Sequence, residues 1–194
     1  MRSVKCSFVS IEQIGSQMTE PTNTNLDISS RIQDPQCATE NLSAWVGLSL
    51  ENDRLIAAHK NTGAETLEKL SRSEDERTRE LVTGNPNAPV KVLMDLADDF
   101  PRAFLLNPAF DVIVLEDPGL LERLYESTLA KILAQKECPQ KIIDWAYKFY
   151  KRKSTYSSRV LMGIVKNPYT PVKTINAILK VDSGVEITCQ EGCL

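Results

Sequence analysis

The residues of this chain with the chemistry to hold a metal or attack a carbonyl are five cysteines, Cys6, Cys37, Cys138, Cys189 and Cys193, and one histidine, His59. Zinc and iron–sulfur centres need close pairs such as Cys-x-x-Cys, so that several donors converge on one ion or cluster. The only close pair is Cys189-x-x-x-Cys193, with no histidine near it, so no metal or other cofactor is expected. A single histidine with no serine or cysteine nucleophile motif offers no catalytic dyad. The eight glycines are scattered and form no phosphate-cradling loop. Asp98-Asp99 and Glu74-Asp75-Glu76 are adjacent rather than facing, and read as helix caps and solvated turns. These residues predict no enzyme.

Charge is more informative. Residues 1–118 carry 11 Lys+Arg against 19 Asp+Glu, net −8; residues 119–194 carry 12 against 7, net +5, which together give the −3 of the whole chain. The positive half interleaves Lys148, Lys151, Arg152, Lys153 and Arg159 with Tyr147, Phe149, Tyr150 and Tyr156. Basic side chains among aromatics can grip nucleic acid through phosphates and stacking. The plainer reading packs the aromatics inside and leaves the lysines at a helix end, where positive charge suits the dipole. An acidic half joined to a basic half also allows head-to-tail self-association.

The elements that position these residues are organised around Asn85-Pro86-Asn87-Ala88-Pro89-Val90-Lys91-Val92-Leu93-Met94-Asp95-Leu96. Asn85-Pro86 ends a helix, because the residue before proline is steered out of the helical region. Pro89 suits the first turn of the next helix, where its missing N–H is not needed. Leu93 and Leu96, four and seven residues on, share one helical face. The same pattern recurs at six anchors, Ala38, Gly63, Pro89, Asp111, Pro139 and Pro171, spaced by 25, 26, 22, 28 and 32 residues. The core residues at +4 are Leu42, Leu67, Leu93, Leu115, Ile143 and Ile175; at +7 stand Trp45, Leu70, Leu96, Pro118, Ala146 and Ile178. Cys37 and Cys138 fall just before an anchor, a slot that elsewhere holds Thr62, Ala88, Phe110 or Thr170, and read as packing. His59 takes the place that Asn85 holds, and reads as a cap. One helix start per 22–32 residues predicts an all-α fold, a solenoid of about six degenerate units.

Asn85-Pro86-Asn87-Ala88-Pro89-Val90-Lys91-Val92-Leu93-Met94-Asp95-Leu96-Ala97, and nearly as well Asn167-Pro168-Tyr169-Thr170-Pro171-Val172-Lys173-Thr174-Ile175, resemble the leucine-rich repeat variant family. The resemblance spans about residues 34–118 and 137–180. It implies a right-handed superhelix that alternates α-helices with shorter 3₁₀ helices and has no β-strands. Some proteins with such repeats are associated with a four-cysteine iron–sulfur module; the cysteines here are not clustered as that would need.

Along the chain, residues 1–25 are expected to be an extended N-terminal segment, with 1–17 an extension ahead of Met18 and a short helical turn near 26–32. Residues 26–180 form the repeat region and 181–194 a flexible tail. In the second unit Ser73 and Glu76 predict a capping box. In the fourth, Gly119 to Lys136 reads as one long helix carrying Leu120, Leu121, Leu124, Leu129, Ile132 and Leu133. No apolar run approaches the roughly 18 residues of a membrane span, and nothing resembles a secretion signal. That absence and the odd cysteine count place the protein in a reducing cytoplasm.

Two functions follow. The first is a non-catalytic scaffold that binds an unidentified protein partner through its repeats. The alternative is nucleic-acid or anionic-ligand binding through the basic C-terminal half. The anchor+2 residues Lys91, Lys141 and Lys173, extended by Lys148, Lys151, Arg152 and Lys153, form a candidate binding ridge.

Overall fold

The computed structural model describes residues 22–152 and 157–182. These are all-helical. The elements are α1 (Thr22–Ile32), α2 (Thr39–Ala44), α3 (Leu50–Ala58), α4 (Ala64–Leu70), α5 (Glu76–Gly84), α6 (Val90–Leu96), α7 (Pro101–Leu106), α8 (Phe110–Glu116), a 3₁₀ turn (Leu120–Arg123), α9 (Glu126–Leu133), α10 (Gln140–Arg152), α11 (Ser158–Lys166) and α12 (Val172–Asp182). The extended N-terminal segment expected over 1–25 lies mostly outside the described residues, as does the tail from residue 183 on. Where they meet the fold, α1 begins at Thr22 and is longer than the turn expected near 26–32.

The odd-numbered helices stack in series, α1 on α3, α3 on α5, α5 on α7, α7 on α9 and α9 on α11. The even-numbered helices from α4 onward pack chiefly on this row. The core between them contains Leu42, Ile56, Leu67, Val82, Leu93, Phe104, Leu129, Ile132, Ile143 and Ile164. Among the +4 positions, Leu42, Leu67, Leu93 and Ile143 are buried, and Ile175 is half-buried.

Leu115 is 80% exposed, which overturns its place as the core residue of the fourth unit. The reason is Phe110. Its ring fills the slot just before the anchor and meets Phe104 edge-on, centroids 5.3 Å apart. Helix α8 therefore starts at Phe110, one residue before its anchor, whereas α6 starts one residue after Pro89. The shift turns Leu115 outward and leaves Ile113 and Val114 packed against the core.

The long helix expected over 119–136 is divided. Leu124 and Tyr125 are extended and separate the 3₁₀ turn from α9. All six apolar residues of that stretch are nonetheless buried, Leu120 and Leu121 before the break, Leu124 in it, and Leu129, Ile132 and Leu133 after it. The capping box is also different. Asp75, not Ser73, caps α5, accepting from the Thr78 N–H at 2.8 Å, while Ser73 Oγ accepts from the Asp75 N–H at 3.2 Å. The alternation with 3₁₀ helices is not found: α2, α4, α6 and α8 are short α-helices, and 3₁₀ geometry among the described residues is confined to Leu120–Arg123.

Asparagines tie the ends of successive odd-numbered helices together. The last carbonyls of a helix have no partner inside it. Asn85 Nδ2 donates to the carbonyls of Ala57 (2.8 Å) and His59 (3.0 Å) at the end of α3. Asn107 Nδ2 donates to Thr83 (2.8 Å) and Asn85 (2.9 Å) at the end of α5. Asn167 does the same to Leu133 (2.8 Å) and Gln135 (2.6 Å) after α9. Each Oδ1 accepts the N–H two residues on, at 2.8–2.9 Å. The three side chains are almost completely buried and fully bonded. Gln135 stands where the next rung would be, and its amide instead donates to Lys131 O of its own helix. Three ion pairs span that gap: Arg102–Glu137, Lys131–Asp98 and Lys141–Asp111.

Candidate functional site

The residues with catalytic potential have structural duties. His59 is a rung: its Nδ1 accepts the Asn61 N–H at 3.1 Å, and its Nε2 lies 3.0 Å from the Asp34 carbonyl oxygen. This is the capping place expected of it. Burial pushes the Cys138 thiol up to about 12 and raises that of Cys37. Both are free, and a protonated thiol is a poor nucleophile and ligand. Cys6, Cys189 and Cys193 lie outside the described residues. Among the described residues no group of three His, Cys, Asp or Glu could hold a metal, and no helix is long and apolar enough to cross a membrane.

One member of each acidic run is likewise occupied. Arg54 on α3 reaches Asp75 with two hydrogen bonds, of 2.9 and 2.7 Å, and Asp75 also accepts from Thr78 N–H and Oγ1. The guanidinium first, then the Thr78 hydroxyl, hold the Asp75 carboxyl far below the usual carboxylate range. Asp98 accepts from Lys131 Nζ at 2.7 Å and from Thr128 Oγ1 at 2.8 Å, and its carboxyl is lowered mainly by that lysine.

The ridge lysines lie on even-numbered helices. Lys91 on α6, Lys141, Lys148 and Lys151 on α10, and Lys173 on α12 are all exposed. Arg152 ends α10, and Lys153 lies outside the described residues. Lys141 is engaged by Asp111 at 2.8 Å, and Lys151 lies over the Tyr147 ring at 5.6 Å. Between the lysines Trp145 and Phe149 stack with centroids 5.4 Å apart. These two rings with Lys141, Asp144 and Lys148 border a concavity of about 570 Å³. Tyr150 is buried, as the plainer reading of this stretch expects, whereas Tyr147 and Phe149, which it also placed inside, are only half-buried.

Three further hollows lie along the row of odd-numbered helices. One of about 790 Å³ is bordered by α7, α9 and α11, with Asp99 and Pro101 on one wall, Ala130 and Ala134 at its base, and Arg159 and Met162 on the far wall. It adjoins a second of about 510 Å³, sharing Asp99 and Pro101. That one adjoins a third of about 300 Å³, sharing Arg77, Glu80, Arg102 and Ala103. The three thus adjoin one another in series and make a hollow face over α5, α7, α9 and α11. Its base is shallow in side chains because Gly163 of α11 lies directly on the backbone of Ala130 in α9. Sequence reasoning missed this face. The signals it left are the glycine inside the helical run Val160 to Val165 and two alanines four residues apart, Ala130 in α9 and Ala134 at its C-cap.

Charge on this face is uneven. Arg77–Glu80 and Lys131–Asp98 are paired at 2.5 and 2.7 Å. Glu76 and Asp99 toward one end, and Arg159 and Lys166 toward the other, have no ion-pair partner among the described residues.

Comparison of the chain with family models, with curated proteins and with solved structures finds no match.

Proposed function

We propose that this protein is a non-catalytic interaction scaffold: a right-handed α-solenoid of six degenerate units, of the leucine-rich repeat variant kind, that binds another protein along the hollow face of its helix row. The observation that carries this reading is the series of three adjoining hollows across four successive row helices. A surface built from one repeated element suits an extended partner, since each unit offers a few side chains in register. Serial packing of the odd helices and the asparagine rungs support the repeat architecture.

Affinity capture from the protein's own cells tests the reading. One variant carries Glu76→Lys, Leu106→Ser, Ser127→Arg and Met162→Ser on the hollow face. Another carries Lys141→Glu, Lys151→Glu, Arg152→Glu and Lys173→Glu on the ridge. With helical content unchanged in both, the first is expected to lose its partner and the second to retain it. Loss only in the ridge variant would move the binding surface to the even helices.

A second reading, nucleic-acid binding, is favoured by one observation: the Trp145–Phe149 stack beside Lys141 and Lys148. Against it, Asp111 already engages Lys141. Retention on a nucleic-acid column that falls steeply with salt would support this alternative, because phosphate contacts release counterions.

A further inference from the structure

We infer that the α11 wall of the hollow bordered by α7, α9 and α11 takes a segment of a partner protein in which a large apolar side chain is flanked by acidic residues. This deepens the scaffold reading and rests on it. Arg159, Met162 and Lys166 fall at i, i+3 and i+7 and so share one face of α11. Both cations are exposed, and so is 51% of Met162 between them. An exposed methionine is a flexible, polarisable surface that moulds to an apolar partner side chain. Ala130 and Ala134 across the base leave room for that side chain.

Charge selects what flanks it. Lys131 is held by Asp98, so the positive charge left for a ligand is that of Arg159 and Lys166. Seven helical residues separate them by about 10 Å along the axis. In a polyproline II segment, with three residues per turn, two acidic residues three apart share a face and span about 9 Å, close to the same distance. The opposite wall carries Asp99, which repels a uniform polyanion but not a peptide whose acids all face α11. The wall therefore suits an acidic peptide segment better than a nucleic-acid strand.

The test is selection of a random dodecapeptide phage library on the immobilised full-length protein, followed by fluorescence anisotropy with the best synthetic peptide. Enriched sequences should place acidic residues around a Leu, Met or Phe. Arg159→Glu with Lys166→Glu should weaken binding at least tenfold, and Met162→Ser should weaken it severalfold. Lys141→Glu with Lys173→Glu should leave it unchanged. Circular dichroism and thermal melts establish that all variants fold. The inference is overturned if no peptides enrich, if the enriched sequences lack acidic residues, or if reversal at 159 and 166 leaves affinity intact. Peptides that bind but respond to the ridge variant also overturn it, while leaving the scaffold reading standing. A single-stranded dT20 oligonucleotide that outcompetes the peptide and needs the same two cations would make this wall a nucleic-acid contact, and would overturn it too.

Discussion

Gly163 lies on Ala130 with no room for a side chain: a β-carbon there would stand 2.5 Å from the Ala130 carbonyl oxygen and 2.8 Å from its Cα. Backbone cannot swing aside as a flexible side chain can. Replacing a helical glycine by alanine normally gains about 1 kcal/mol in propensity, but overpacking costs about 1–3 kcal/mol. Gly163→Ala should therefore be destabilising and should part α9 from α11. At Gly84 a β-carbon would meet nothing within 4 Å. Gly84→Ala should gain about 0.4–1 kcal/mol through the unfolded state. Urea midpoints that moved in the same direction for both would refute the close contact.

Asn107→Ala should cost about 1–3 kcal/mol, the penalty for leaving buried polar groups without partners. It removes the donors to Thr83 and Asn85 and the acceptor of the Ala109 N–H. Asn107→Asp keeps that acceptor but supplies no donor, and sets a carboxylate against two carbonyl oxygens. It should be no better than alanine. Aspartate restoring wild-type stability would show that the amide hydrogens contribute nothing.

Leu93 and Leu115 occupy the same place in the repeat and opposite places in the fold. Leu93 is 1% exposed and Leu115 is 80% exposed. Leu93→Ala should cost about 2–5 kcal/mol, and Leu115→Ala no more than about 0.5 kcal/mol. Equal losses on thermal or chemical denaturation would restore the uniform repeat.

Asp75 links stability to acid. Its folded carboxyl is depressed by Arg54 and Thr78, so the pair contributes stability that is present above the unfolded aspartate value, about 3.9, and is lost as pH falls toward the folded value. Asp75→Asn should therefore differ from wild type near neutral pH, and the gap should close progressively below about pH 4. A gap that stayed constant down to acid unfolding would mean the carboxylate charge is not what matters.

The apolar positions were legible because helical period writes them directly: Leu42, Leu67, Leu93, Leu96 and Ile143 lie where spacing puts them. Phase was not legible at the fourth unit. Asn107-Pro108 matches the repeat, but the volume of Phe110, which spacing does not weigh, turned the following helix. The break at Leu124–Tyr125 carries no proline, glycine or side-chain cap, so nothing local announced it. Asn85 and Asn107 were legible as helix ends but not as bonds between units, since their partners lie 22–28 residues away. The hollow face was hidden for the same reason, being assembled from helices of several units.

The missing rung at Gln135 makes the row mechanically uneven. Elsewhere buried amides, which dissolved ions do not reach, fasten one unit to the next. Here Arg102–Glu137, Lys131–Asp98 and Lys141–Asp111 bridge the joint with charges that, Glu137 apart, stand open to solvent, and exposed pairs of this kind contribute only about 0–1 kcal/mol each and are weakened by salt. The joint between α8 and α9 should therefore respond to salt more than the joints that Asn85, Asn107 and Asn167 hold, while the apolar core that crosses it keeps the row together.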